Sequence, residues 1–542
     1  MIYVIIFAVL AVACAVLIHS HIGKIKDLER GVRDSFGKPP KNSEYYLSSI
    51  ETYHVYKAAN TDTGRYIDSI TWDDLDMDKV FRRINVCRTS VGEEYLYNCL
   101  HEPHFEQAHL KSREAFISRM EEQPEERFKI QMRLARLGKT DFNGVADLIY
   151  KSGEKPLRFP AVYNILAVMP LLCAGLIFVN APAGIIFLIM SFAVNTAVVF
   201  KTKRKVESAF TAVQYFLSMI WCCGKLLKLV DWLRSEPLTA QLQETFQIFR
   251  PLMKKGLQST QRSPNETGML SELLNLWFLT GVRNYNGVIS GISKNREQFH
   301  DLYKTLGEID LAICVLSFRK SLPFYSTPVF HDENSIKFEE IYHPLLSEPV
   351  PNSGIIKKNS IITGSNASGK STFIKTVAVN GILAQTVFTC AAKEYSAKFA
   401  LVMTSMALKD DISEGESYFI TEIKSLKRIL DKIRSVYCVC FIDEILRGTN
   451  TIERVAASAS VLNYLNGKDC LCLAASHDIE LAEMLDNSVD NYHFREHITE
   501  GGMMFDYKIN DGISNTRNAI KLLRYMNFES AIVENAEKLA ER

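Results

Sequence analysis

Apolar residues fall into three patterns along this chain. The first is long and uncharged. Ile2 to Ile18 runs about 17 residues without a charge, near the lower limit for a helix that crosses a bilayer. Ala161 to Phe200 runs about 40, enough for two such helices. Asn180-Ala181-Pro182-Ala183-Gly184 breaks it with turn chemistry, which predicts a hairpin of helices over roughly 161–179 and 183–200. The second pattern is helical periodicity, across 21–159 (notably Phe105 to Leu137) and across 206–325. A polar break at Ser259–Thr267 precedes Leu270, Leu273, Leu274, Trp277, Phe278 and Val282, which share one face of an amphipathic helix. The third begins at Ser326, where short β-like runs alternate with helices. That alternation predicts an α/β domain with a largely parallel sheet. The reading therefore divides the chain into an anchor (1–20), a helical region (21–159), a membrane hairpin (160–200), a second helical region (201–325) and the α/β domain (326–542).

Charge orients the apolar segments. Nothing basic precedes Ile2, whereas Lys24, Lys26, Arg30 and Arg33 follow Ile18. That order favours an uncleaved anchor over a signal peptide. Lys151, Lys155 and Arg158 precede the hairpin, and Lys201, Lys203, Arg204 and Lys205 follow it. Both ends are then expected on the cytoplasmic side. The expectation is a multi-pass cell-membrane protein with three transmembrane helices, its α/β domain in the cytoplasm. The rival reading is a hairpin buried in a soluble core. The 63 basic and 62 acidic residues give a net charge of +1, so no global field draws the chain to nucleic acid. Of twelve cysteines, Cys438 and Cys440, and Cys470 and Cys472, alternate within apolar runs, and Cys222-Cys223 are adjacent. None has C-x-x-C spacing, so buried thiols in a reducing compartment are expected.

One segment carries specific chemistry. Gly364-Ser365-Asn366-Ala367-Ser368-Gly369-Lys370-Ser371 reads G-x-x-x-x-G-K-S, a phosphate-binding loop. Ser360 to Thr363 before it reads as a strand end, and Phe373 to Phe388 after it as a helix. Strand, glycine turn and helix N-terminus surround a polyphosphate with N–H groups and a positive dipole end. Lys370 is placed to reach the β and γ phosphates of ATP, and Ser371 to ligate Mg²⁺. Val436 to Ile442 is a buried-strand run ending in Asp443 and Glu444. Asp443 is the candidate Mg²⁺ ligand, and Glu444 the group that activates the attacking water. Leu471 to Ser476 is another strand, and His477 at its tip is a candidate γ-phosphate sensor.

These pieces together resemble the MutS family of ATPases, related to the ABC class. Thr363 to Thr372 is similar to its phosphate loop, and Asp443-Glu444-Ile445-Leu446-Arg447-Gly448-Thr449 to its D-E-x-x-R-G-T strand end. Ser476-His477 resembles its T-H switch, and His343-Pro344-Leu345 the start of its ATPase domain. Gly415 to Glu422 resembles the signature segment, in which Ser417 would reach the partner's nucleotide. Phe505 to Ile513 resembles its closing F-x-x-x-x-x-D-G-I element, where Tyr507 would stack on adenine. Thr71 to Leu75, and Arg88 to Gly92 through Leu100-His101-Glu102-Pro103, resemble the start of the helical core. The resemblance implies ATP and Mg²⁺ as cofactors, a homodimer of ATPase domains with composite sites, and coupling to mismatched or structured DNA. It is not complete. Ala367-Ser368 replaces the usual Met-Gly, Leu446 replaces a usual glycine, and no Phe-x-Glu mismatch-reading segment can be placed. A membrane ATPase acting mechanically on an unknown protein or on lipid, without DNA, is the alternative.

Overall fold

The computed structural model describes residues 19–20, 22–41, 46–61, 64–150, 157, 159–205, 207–256, 267–365, 368–406, 418–446, 449–485, 488–499, 502–513 and 528–540. The chain divides into two compact units. One comprises Met1–Asp62, Asn85–Asn98 and Ser112–Phe318, and the other Thr63–Ile84, Cys99–Lys111 and Arg319–Arg542.

The second unit is built on two sheets. Strands β1 (Val329–Phe330), β2 (Ile336–Ile341), β3 (Asn352–Ile356), β4 (Ser360–Thr363), β5 (Glu394–Ala397), β6 (Leu401–Ser405), β7 (Cys438–Asp443), β8 (Cys470–Ser476), β9 (Asp490–Thr499) and β10 (Gly502–Asp511) follow in chain order. The larger sheet has the order β10-β9-β4-β8-β7-β6, and the smaller β1-β5-β2-β3. In the larger sheet β9, β4, β8, β7 and β6 are parallel, and β10 is antiparallel to β9. Every residue of β4, β6 and β8 is buried. Burial on both faces is why these strands read as unbroken apolar runs rather than as alternation. Among the described residues all eleven cysteines are free and buried, as a reducing compartment would keep them.

Two stretches that the sequence groups with the first helical region belong to this unit. Asp68 caps the helix Ser69–Asp74 by accepting from Thr71 N at 2.9 Å. Asp74 Oδ2 then accepts from Thr404 Oγ1 at 2.6 Å and from Met406 N at 3.1 Å, at the tip of β6. Asp76 pairs with Lys375 at 3.0 Å and Lys79 at 2.7 Å. Partial burial would raise the Asp76 carboxyl, but the two lysines bring it down to about 2. Trp72 stacks on His101 with ring centroids 3.6 Å apart. So Thr71 to Leu75 is a hook for the sheet and the phosphate-loop helix, where the resemblance pointed to the helical core. Asp74 has its hydrogen-bond partners there.

The first unit is helical. Arg88-Thr89-Ser90-Val91-Gly92 begins the helix Ser90–His101, and Asp310 explains the motif. Its carboxylate accepts from Arg88 N, Thr89 N at 2.9 Å and Thr89 Oγ1 at 2.7 Å. A Cβ on Gly92 would lie 2.2 Å from Asp310 Oδ2, so this position requires glycine. Helices Thr267–Phe278 and Thr280–Lys294 divide the expected Leu270–Val282 face at Leu279, whose φ is +50°.

The apolar block forms a helical hairpin, Pro160–Leu176 and Ala181–Lys205, turned by Asn180, whose Oδ1 accepts from Ala183 N at 3.2 Å. Gly184 is needed because a Cβ there would meet Ile177 N at 2.5 Å. Val199 packs with Leu279 and Val282, and buried Asn195 donates to Leu166 O at 3.0 Å and Trp277 O at 2.7 Å. The remaining surface is apolar and bare, with Phe178 92% and Val179 85% exposed. Of the three expected spans, Ile2–Ile18 lies outside the described residues. Among those described, only Ala181–Thr202 is long and apolar enough to cross a membrane, with mean hydropathy 2.2. Pro160–Leu176 is shorter.

Glu94 supplies a test of this unit. It is fully buried, accepts from Tyr303 OH and Asn143 Nδ2, and burial pushes its carboxyl up to about 8. Above the ordinary carboxylate range and up to that value, the folded chain holds a proton that the unfolded chain has released. Stability therefore falls as pH rises through this window. Glu94→Gln removes the titration. The wild-type melting temperature should drop relative to the variant by a few degrees between about pH 5 and about pH 8. Parallel curves for the two proteins would refute a protonated Glu94.

Candidate active site

The phosphate loop is set by backbone geometry that only glycine adopts freely. Gly364 leaves β4 with φ +143°, and Gly369 turns into the helix Lys370–Thr386 with φ +107°. Between them, Asn366 and Ala367 lie outside the described residues. Lys370 is buried. Its Nζ donates to Gly364 O at 2.6 Å and Ser365 O at 2.8 Å and lies 3.3 Å from His477 Nδ1. The ammonium is thus tethered to the loop that it would serve. Ser365 Oγ donates to Glu496 on β9. Ser371 and Thr372 are exposed at the start of the helix.

Strand register brings the acids to this loop. Thr363 at the end of β4 pairs with Ser476 at the end of β8, and Ala475 pairs with Asp443 at the end of β7. Gly364, His477 and Glu444 are therefore the next residues at three neighbouring strand tips. His477 bridges the other two: Nδ1 lies 2.9 Å from Gly364 O and Nε2 lies 2.6 Å from Glu444 Oε1. Glu444 has φ +56°, a left-handed conformation that costs a non-glycine residue about 1–3 kcal/mol. Leu446 has φ +59°, which accounts physically for the glycine usual at its position.

Tyr507 sits on an irregularity of β10 between Phe505 and Ile509, with φ +52°. Asn352 pins this bulge. Its Nδ2 donates to Tyr507 O at 3.0 Å, and its Oδ1 accepts from Ile509 N at 2.9 Å. The half-exposed ring lies over the end of the phosphate loop, where a Cβ on Gly369 would come within 3.1 Å of Tyr507 Cδ1.

The structure thus assembles Gly364, Ser365, Gly369, Lys370, Asp443, Glu444, His477 and Tyr507 at one edge of the sheet unit. Ser417, Arg447 and Gly448 lie outside the described residues. Two supporting residues, Arg454 and Asn352, escaped the sequence reading. Arg454 holds Asp478, next to His477, through two hydrogen bonds of 2.8 Å and 2.6 Å. Asn352 holds Tyr507. Burial, with Lys375 adding, drives His343 down to about 4, so its ring is neutral near pH 7. Only the pairing partners, distant in sequence, reveal these roles.

Two orphaned atoms test whether ATP and Mg²⁺ suit the site. Asp443 Oδ1 and Ser368 Oγ are buried with no hydrogen-bond partner among the described residues. A buried carboxylate oxygen without a donor is a ligand for a hard cation, and a loop hydroxyl without a partner can serve a phosphate oxygen. The residues fit the pair of cofactors.

Comparison with known proteins agrees with this geometry. Residues 360–542 match MutS domain V. Over 268 residues the chain is 30% identical to MutS protein homolog 4 of Homo sapiens, across 46% of this chain and 28% of that protein. It is 27% identical over 268 residues to the DNA mismatch repair protein MutS of Thermotoga maritima, across 48% of this chain and 33% of the relative. The chain thus matches about a third or less of the length of these relatives. The likeness to MutS proteins thus includes residues 360–542, and the parallel-rich α/β sheet is consistent with MutS domain V.

Replacing Tyr507 by Ala should lower affinity for ATP by roughly 5- to 150-fold, since base stacking on a ring is worth about 1–3 kcal/mol. Affinity for tripolyphosphate should not change. Titration with each ligand separates the two. Equal losses would mean that the ring supports the loop and not the base.

Proposed function

We propose that this chain, with its MutS domain V, is a membrane-anchored ATPase that hydrolyses ATP in a composite dimer site. The observation that carries this reading is the meeting of Lys370, Asp443, Glu444 and His477 at three adjacent strand tips. Lys370, already aimed into the loop, would exchange its two backbone carbonyls for phosphate oxygens. Asp443 and Ser371 would hold Mg²⁺, which when bound neutralises phosphate charge. Glu444 would take the proton of the attacking water. Its bond to His477 must open or slide for that, so the histidine both restrains and positions the base. Ser417 of a second copy would complete the site.

The exposed hairpin supports the membrane anchor. A helix of 22 residues is about 33 Å long, the thickness of a hydrocarbon core. Only 17% of its most apolar window is buried, unlike the core helix of a soluble protein. By family resemblance the ATPase would act on mismatched or structured DNA. DNA binding would need basic side chains clustered on the helical arms, such as Arg127, Arg133 and Arg136 or Lys254 and Lys255; of these, Arg127 lies over the Phe36 ring at 4.2 Å and donates to Met120 O. Arg136 on the same helix is exposed, and the second reading, a mechanical membrane ATPase with a protein or lipid partner, calls instead for a neutral arm surface.

Glu444→Gln should retain ATP binding, slow turnover by roughly 10²-fold, and accumulate a nucleotide-bound dimer visible by light scattering. Normal turnover would remove Glu444 from the mechanism. Topology is tested in intact cells. Ala183→Cys should react with an impermeant thiol reagent, above the background of native cysteines, and Ser152→Cys only after permeabilisation. The opposite pattern would place the ATPase away from cytoplasmic ATP. Release of the protein into the soluble fraction would exclude the anchor.

A further inference from the structure

The helical unit has an open cavity of about 580 Å³ between helix Glu207–Leu229, the turn Asp231–Arg234 and helix Leu242–Gly256. This is the size of a small-ligand site. Two rings, Trp221 and Phe246, and four cations, Lys225, Lys228, Arg234 and Arg250, line it. Gln243 and Gln247 add two amides, and among the described residues no carboxylate faces the cavity. Asp231, outside the lining, lies 3.5 Å from Arg234, and Arg234 Nη2 also donates to Leu227 O at 2.6 Å. The guanidinium is thus fixed in place and partly neutralised, leaving Lys225, Lys228 and Arg250 to set the sign of the site. Lys225 Nζ lies 5.5 Å from the Trp221 ring centre, within cation–π reach. Gly224, inside a helix where glycine weakens the structure, has a local reason. A Cβ there would fall 2.5 Å from Phe246 Cε2, so the ring could not lie at the cavity wall.

Cations, flat rings and side-chain amides in one cleft match a ligand with phosphate, a planar base and hydrogen-bonding edges. An inorganic anion would leave the rings and amides unused, and an acidic peptide need not present a flat ring. We infer that this cavity binds a nucleotide, distinct from the one at the phosphate loop, with its base on Trp221 or Phe246 and its phosphates on Lys228 and Arg250. The nucleotide could be free or the end of a single strand, and both present the same chemistry.

The test uses the full chain in detergent with Lys370→Ala, which disables the phosphate loop. Probes are nucleoside mono-, di- and triphosphates, a short oligothymidylate and inorganic triphosphate. Equilibrium dialysis should show one saturable nucleotide site per chain, with tryptophan quenching that disappears in Trp221→Phe. Lys228→Glu with Arg250→Glu should weaken binding at least tenfold. If that pair misfolds, Lys228→Gln with Arg250→Gln should weaken it in the same direction. Binding of the oligonucleotide alone, with the same sensitivity, identifies a strand as the source, and binding of free nucleotides identifies a diffusible ligand. No saturable site, insensitivity to the charge changes, or inorganic triphosphate bound as tightly as nucleotide would overturn the proposal. The Lys370→Ala background keeps this outcome independent of the ATPase reading.

Discussion

The parallel register of β4, β8 and β7 is the constraint on which the site depends. Parallel strands place their carboxyl ends at one edge, where ligands of open α/β sheets bind. Here the tips are level: Thr363 opposes Ser476, and Ala475 opposes Asp443. A slip of one residue would send the Asp443 side chain to the opposite face of the sheet. The buried faces of all three strands resist such a slip, because it would exchange their whole packing surface. The apolar core and the chemical site are therefore fixed by the same pairing.

Left-handed backbone at non-glycine residues occurs at the site as it does elsewhere in the chain, at Asp76 and Leu279 among others. Glu444, Leu446 and Tyr507 all have positive φ, and none is glycine. Backbone held against its preference persists only where the surroundings over-determine it. Asn352 does this for Tyr507. For Glu444, the hydrogen bond from its own N to Ala475 O at 3.0 Å and the His477 contact do so.

Local features were legible in the sequence. Ser360–Thr363 is a strand as read, the glycine turn follows it, and β7 delivers Asp443. Those inferences needed only short-range rules of strand burial and loop chemistry. What the sequence concealed was partnership. Nothing near Thr71–Leu75 shows that Asp74 belongs to Thr404, or that Asp478 is clasped by Arg454. Periodicity tells which face of a helix is buried and not against what. It also ran through Leu279, where one left-handed residue splits the expected helix in two. The hairpin was legible as apolar helices, but its length divided differently, with Asn180 ending the first arm after 17 residues.

The hook made by Thr71 and Asp74 has a consequence for biosynthesis. Thr71 Oγ1 accepts from Thr404 N across 333 residues of chain. At ordinary elongation rates, on the order of tens of seconds separate their emergence from the ribosome. The apolar hairpin is made in that interval, while Asp74 and Asp76 still lack the β6 tip and Lys375. The sheet unit therefore cannot mature by simple growth from its amino end. Until the sheet exists, its first-made segment has only local contacts such as Asp68 with Thr71 N and Asp76 with Lys79.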